Sequence, residues 1–271
     1  MLNQFLIHKY KDDGIIKSPE SLPNSLVKEM LKSLDRLLGD NPELPAESLI
    51  CPHIPLGKSH NKDSAAEWYR YATNPQILDI VESLIGPNII LWGSQIFCKP
   101  PKVGKPVPWH QDGHYWPIKP LETCSVWIAL DPANVSNGCM RYIPGSHIQK
   151  NLLPHYHVTK EDNVLGEQTK FEQKDYTNPR DNILKRGEFS LHDAFLIHGS
   201  NANMSQKRRA GFVIRYMPAT SVFCRSSPLK RQSGVVFDFN SRPIWLVRGR
   251  DSEGKNDFEI GHDINQSLSL D

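Results

Sequence analysis

At 271 residues, with 38% hydrophobic and 23% charged side chains, the chain has the composition of an ordinary soluble globular protein with material for a full core. A net charge of +2 gives no general attraction to nucleic acid or to an anionic membrane, and no apolar run is long enough to cross one. Lys9, Lys11, Asp12 and Asp13 interrupt the first residues and argue against a signal or transit segment. The five cysteines are widely spaced with no C-x-x-C, which reads as reduced buried thiols of a cytoplasmic protein.

Apolar residues recur with helical period from Leu26 to Leu38, and Gly39 follows where a helix would end. Residues 41–64 are rich in Pro, Gly and polar residues and read as a surface loop. Asn74-Pro75 has the form of an N-cap followed by proline at the first helical position, opening a helix that runs to Gly86-Pro87. The part from 1 to 87 is therefore expected to be mostly helical.

From residue 88 the pattern changes to short strands. Asn88 to Cys98 is strand-like, and Pro100 to Pro108 is a loop. Glu122 to Leu130 alternates, with Cys124, Val126, Ile128 and Leu130 on one side. Asn137-Gly138 and Pro144-Gly145-Ser146 signal tight turns. Phe189 to Ile197 and Ala210 to Met217 are further strands. The polar stretch 152–186 reads as an insertion of the lid or binding-loop kind. Beyond Arg225 come Arg231, Arg242, Arg248 and Arg250 around Ile244-Trp245-Leu246-Val247, a last edge element with a basic rim. Short strands behind helices suggest one mainly β domain over 1–271. Its 88–250 part would be a double-stranded β-helix, or jelly roll of the cupin type, with the helical part packed on it.

The chemistry is expected at Trp109-His110-Gln111-Asp112-Gly113-His114-Tyr115-Trp116. On an extended backbone His110 and Asp112 point to one side and can take adjacent corners of a metal's coordination sphere. A distant histidine, His198, would complete a 2-His-1-carboxylate set, which leaves three corners open and suits Fe(II). Arg209 begins a strand eleven residues later. Its planar fork can clamp the distal carboxylate of 2-oxoglutarate, and Ser200 can add a hydroxyl.

His110-x-Asp112, Trp127 in Val126-Trp127-Ile128, Asn137-Gly138-Cys139, Pro144-Gly145-Ser146-His147, His198-Gly199-Ser200 and Arg209 together resemble the phytanoyl-CoA dioxygenase family of Fe(II)- and 2-oxoglutarate-dependent oxygenases. By that resemblance His110, Asp112 and His198 hold iron, and Arg209 and Ser200 bind 2-oxoglutarate. Trp127 and Gln95 would line the cosubstrate pocket. The implied reaction consumes O2 and 2-oxoglutarate, hydroxylates an unactivated C–H and releases succinate and CO2. Halogenating members leave a corner for chloride by replacing the carboxylate with a small residue; Asp112 fills that corner and excludes halogenation.

His192 with Asp193 reads as a structural pair at a strand edge, His147 as structural, and His155 and His157 as solvated. His114 is balanced between substrate contact and packing. Arg209 and Arg215 are six apart on one strand and so face one side. With Tyr115 and Trp116, and with Lys119 and Arg141 nearby in sequence, Arg215 suits a small anionic or zwitterionic substrate, its ammonium held against aromatic faces. The aromatic run resembles bacterial hydroxylases that oxidise 2-aminoethylphosphonate. An acyl-CoA, an amino acid or a natural-product intermediate is the alternative substrate. A zinc-binding or non-catalytic cupin-like module is the alternative of another class, but neither explains Arg209 and Ser200.

Overall fold

The computed structural model describes residues 1–42, 44, 46–55, 62–159, 163–171, 178–226, 229–230, 236–237 and 239–262. Among them the helices are α1 (Gln4–Asp13), α2 (Asn24–Asp40), α3 (Lys62–Ala72) and α4 (Pro75–Ile85). The strands are β1 (Ile15–Lys17), β2 (Leu49–Ile50), β3 (Ile89–Lys99), β4 (Val107–His110), β5 (Ile118–Lys119), β6 (Cys124–Ala129), β7 (Met140–Tyr142), β8 (His155–His157) and β9 (Glu167–Thr169). They continue with β10 (Arg180–Asp181), β11 (Phe189–His192), β12 (His198–Ser200), β13 (Arg209–Pro218), β14 (Val222–Phe223), β15 (Leu229–Lys230), β16 (Val236–Phe237) and β17 (Trp245–Arg248).

The strands form a larger sheet of order β1-β11-β6-β13-β3-β17, with β2 also on β3, and a smaller one of order β10-β7-β12-β4. This is the expected jelly roll with flanking helices. Its organisation follows from the two-residue period of β13. Ala210, Phe212, Ile214 and Tyr216 point outward into the core shared with Val27, Met30, Leu34, Trp68, Ile77 and Val81 of the helices. Trp68 packs on Phe212 with ring centroids 4.8 Å apart, and Tyr216 Oη donates to Ala72 O at 2.6 Å. Each large apolar side chain so buried contributes roughly 1.5–3 kcal/mol. The alternate residues Arg209, Val213 and Arg215 line the opposite, inner face.

Several local expectations change. α1 carries too few regularly spaced apolar residues to announce itself. It is made by its caps: Asn3 accepts from Leu6 N, and Gly14 ends the helix at φ +78°. α4 has the expected Asn74 cap and Pro75. The 41–64 loop includes a helical turn at Ala46–Ser48 and strand β2, while 56–61 lie outside the described residues. Asn137-Gly138 closes no hairpin. Gly138 caps the turn Val135–Asn137 at φ +75°, where an added Cβ would overlap Asn201 O. The single strand expected over Phe189–Ile197 stops at His192, because Asp193 Oδ1 accepts from Phe195 N and turns the chain onto the smaller sheet. In the insertion β8 pairs with β9, and 160–162 and 172–177 lie outside the described residues. β17 is the expected last edge element. Of the tail arginines, Arg248 is paired with Asp79 and Glu82, and Arg231 lies outside the described residues.

Candidate metal centre

β4 and β12 are antiparallel neighbours with His198 directly opposite His110, so their rings meet with centroids 4.2 Å apart. The backbone is extended through Gln111, but Asp112 begins a helical turn, Asp112–Tyr115. That turn, rather than a continuing strand, brings the carboxylate back. Asp112 Oδ1 lies 3.5 Å from His110 Nε2 and 4.0 Å from His198 Nε2. One donor atom from each of the three buried residues falls within 4.8 Å of the others.

The rings are oriented from behind. His110 Nδ1 meets Pro108 O at 2.8 Å and His198 Nδ1 meets Leu196 O at 2.9 Å, which leaves each Nε2 as the inward lone pair. Burial and the neighbouring His110 push His198 well below the usual histidine range, so it stays neutral. Burial alone would raise the Asp112 carboxyl. The imidazoles that crowd it, His110 and His192 first and then His198, together with the Arg215 charge outweigh it and hold the group well below the usual carboxylate range. Two imidazoles and a carboxylate are the donor set that suits ferrous iron with open corners.

Two supporting residues escaped the sequence. Gln111 holds the ligand turn, donating to Asn151 O and Phe195 O and accepting from Leu153 N. His192 is not the partner of Asp193. Its Nε2 lies 3.5 Å from Asp112 Oδ2, while Asp193 is bound by Lys150. The even spacing of His192 and His198 hinted at this, but the intervening change of sheet was not legible.

On one side of the three donors lies a pocket of about 50 Å³, lined by Trp127, Ser200, Arg209 and Val213 among others. Arg209 is 2% exposed, donates to Gly138 O at 2.9 Å, and lies 5.5 Å from the Trp127 ring. Burial pulls it down to about 10, so it remains a cation at neutral pH. Gly211 makes room for the indole: an added Cβ would overlap Trp127 Cζ2. Ser200 Oγ accepts from Lys99 Nζ at 2.7 Å, which leaves its own proton to be given elsewhere. The sequence had not singled out Lys99. It is 1% exposed, and burial followed by the charge of Arg209 brings it down to about 6.

On the other side is a cavity of about 260 Å³. Gln95 belongs here and not to the Arg209 pocket; its Oε1 accepts from Arg215 Nη2 at 3.0 Å. Tyr115 and Trp116 line it, as does Arg215, whose guanidinium lies 5.5 Å from the Trp116 ring. Three expected contacts fall elsewhere. Lys119 is exposed on β5, and Arg141 is turned away to pair with Asp181 at 3.0 Å. His114 stacks on His155 at 3.8 Å with its Nε2 3.5 Å from Glu167, so packing wins over substrate contact. His155 is buried rather than solvated, and burial followed by the charge of His114 brings it down to about 3; His157 is exposed as expected. His147 is structural, its Nε2 meeting Lys11 O.

Residues 10–211 match the family model described as Phytanoyl-CoA dioxygenase (PhyH). The chain belongs to the phytanoyl-CoA dioxygenase family. The family's chemistry is that of iron- and 2-oxoglutarate-dependent dioxygenases. The peroxisomal phytanoyl-CoA dioxygenase of Homo sapiens is 30% identical over 211 residues, covering 70% of this chain and 61% of the relative. A Stutzerimonas stutzeri protein named a probable alpha-ketoglutarate-dependent hypophosphite dioxygenase is 33% identical over 146 residues, 53% of this chain and 50% of that one. The chain thus spans less than two thirds of these relatives. Among solved structures, the non-heme monooxygenase ThoJ in its apo form is 25% identical, with a TM-score of 0.69 over 91% of this chain and 84% of its own. The epimerase SnoN in complex with Fe3+, alpha ketoglutarate and nogalamycin RO shares the fold at 23% identity, with a TM-score of 0.67 over 87% of this chain and 91% of that one. Among the described residues, no helix is long and apolar enough to cross a membrane.

Proposed function

We propose that the chain is one Fe(II)- and 2-oxoglutarate-dependent oxygenase domain that hydroxylates a C–H bond of a small anionic or zwitterionic metabolite. The observation that carries this is the position of the donors where two unlike recesses meet, one closed by Arg209 and Ser200 and the other walled by Trp92, Trp116 and Arg242, with Arg215 lining both. In this reading His110, Asp112 and His198 hold the iron. With 2-oxoglutarate and O2, bound iron supplies the oxidising power that inserts oxygen into the C–H bond and yields succinate and CO2.

The protein's own part is positioning. Arg209 and the Ser200 hydroxyl seat the distal carboxylate of 2-oxoglutarate, with Trp127 as the wall beneath it. Pro108 O and Leu196 O fix the two imidazoles, and His192 braces the outer oxygen of Asp112. Arg215 orients the anionic end of the substrate, and the faces of Trp116 and Tyr115 enclose its body. A candidate is 2-aminoethylphosphonate, whose ammonium would rest on an aromatic face. The hypophosphite dioxygenase name of one relative supports a phosphorus oxyanion. Cysteines that form no disulfide among the described residues suit a reducing cytoplasm.

The test is incubation with Fe(II), ascorbate, 2-oxoglutarate and 2-aminoethylphosphonate, following succinate and hydroxylated phosphonate. Absence of both, while other small phosphonates stimulate succinate release, removes that candidate and keeps the class. A zinc hydrolase or a binding module would develop no visible absorbance when Fe(II) and 2-oxoglutarate are added anaerobically.

A further inference from the structure

The larger cavity holds more positive charge than its neighbours neutralise. Apart from Asp112, a member of the donor set, the charged residues that line it among the described ones are two arginines, Arg215 and Arg242. They arrive from separate parts of the chain, β13 and the turn before β17. Arg215 is 9% exposed, and its Nε has no hydrogen-bond partner. Arg242 stands 5.7 Å from the Phe239 ring and donates to Cys51 Sγ, a weak acceptor. Cys51 itself is held at φ +51°, in the left-handed region, with its backbone N–H on Ser94 O. Burial lowers Arg215 most, Asp112 counteracts it, and Arg242 lowers it further, so the two guanidiniums feel each other. Two cations facing one recess are costly to desolvate unless an anion joins them. The rest of the wall is uncharged: Trp92, Trp116, Phe239, Val164 and Leu165 are aromatic or apolar, and Ser94 and Gln95 are among its polar members, Gln95 accepting from Arg215.

We infer that this cavity takes a head group carrying two negative charges, such as a phosphonate, clamped between Arg215 and Arg242, and that Arg242 sets the preference for a dianion over a monoanion. This rests on the reading above, in which the cavity is the substrate side of the iron site. Two planar forks on two sides of one oxyanion give both charge and geometric selection. It also gives the segment before β17 a role in recognition that no motif of the chain marks.

Trp92 and Trp116 make the cavity report on its own occupancy through tryptophan fluorescence. The probes are methylphosphonate at pH 8 and methanesulfonate, a tetrahedral anion of similar size with a single charge. Both are titrated into the full chain loaded with Fe(II) and 2-oxoglutarate under anaerobic conditions. Methylphosphonate should bind about tenfold or more tightly than methanesulfonate. Arg242→Gln should weaken methylphosphonate by about tenfold and erase the preference, whereas Arg242→Lys, which keeps the charge, should retain part of it. The 2-oxoglutarate absorbance should be the same in both variants, which also shows that they are folded. Equal affinity for the two anions, or an Arg242→Gln variant that binds methylphosphonate as well as the parent, overturns the inference. Failure of the 2-oxoglutarate absorbance in the parent would sink the oxygenase reading instead, and the anion titration reads separately from it.

Discussion

Arg209 and Arg215 are the same residue type on the same face of one strand, six positions apart, yet they occupy opposite kinds of surroundings. Arg209 is held by backbone carbonyls of distant segments, Gly138 O and Phe97 O, in the recess of about 50 Å³. Arg215 borders that recess too but leans on a side chain, Gln95, and faces a cavity several times larger, where β3 forms one wall and the turn after His110, residues 164 and 165 and the segment before β17 complete it. A partner common to the whole family needs a rigid seat built from strands. A partner that differs from member to member needs a wall that loops can rebuild.

The strongest break in that comparison is the centre that both sides share. His198→Ala or Asp112→Ala should abolish bound iron and lower turnover by about a thousandfold or more, read as metal content and succinate formation. Arg209→Leu should come next. It should raise the 2-oxoglutarate requirement by about a hundredfold and leave iron content at the parent level. If its iron loss matched that of His198→Ala, Arg209 would be a structural part of the metal site. Gly211→Ala probes the same end by displacement. The new Cβ meets Trp127, so 2-oxoglutarate affinity should fall by about tenfold while overpacking costs roughly 1–3 kcal/mol of stability.

Lys99 offers a finer test, with a defined pH window. In the unfolded chain its amine keeps the ordinary value of 10.5, but in the fold it loses its proton above about 6. Protonation is thus disfavoured in the folded state: the penalty is complete below pH 6 and fades as the pH rises toward 10.5. Lys99→Met should therefore raise the melting temperature more at pH 6 than at pH 9. It should also weaken 2-oxoglutarate by a few fold, because Ser200 loses the donor that orients it. Equal melting shifts at both pH values would mean that Lys99 is not neutralised by folding. The smallest effects belong to Lys119→Ala and Arg141→Ala, which should leave kcat/KM within about twofold, since both side chains point away from the cavity.

What was legible in the sequence follows the same division. His110, His198, Ser200, Arg209 and Trp127 sit on strands, where a two-residue period states which side chains share a face, while Asp112 reaches the same place by the turn that follows β4. Register alone does not say where along the inner face one pocket ends, so Gln95, expected beside Arg209, lines the larger cavity instead. Lys119 and Arg141 were close in the chain but not in space: a short strand exposes one, and β7 turns the other toward Asp181. His192 was assigned to Asp193 by adjacency, whereas neighbours in a strand point to opposite faces. Lys99 and Arg242 carried no motif, and only the packing of distant segments gave them surroundings worth noticing.

The two outermost strands of the larger sheet, β1 and β17, come from nearly opposite ends of the described chain. Each covers an edge that would otherwise present unpaired amides, β1 on β11 beside His192 and β17 on β3. During synthesis this part of the second edge stays open until β17 has been made, so the sheet is a template for intermolecular pairing up to that point. Shortening the chain before Trp245 should therefore show up first as insoluble protein in the cell, ahead of any loss of the iron ligands.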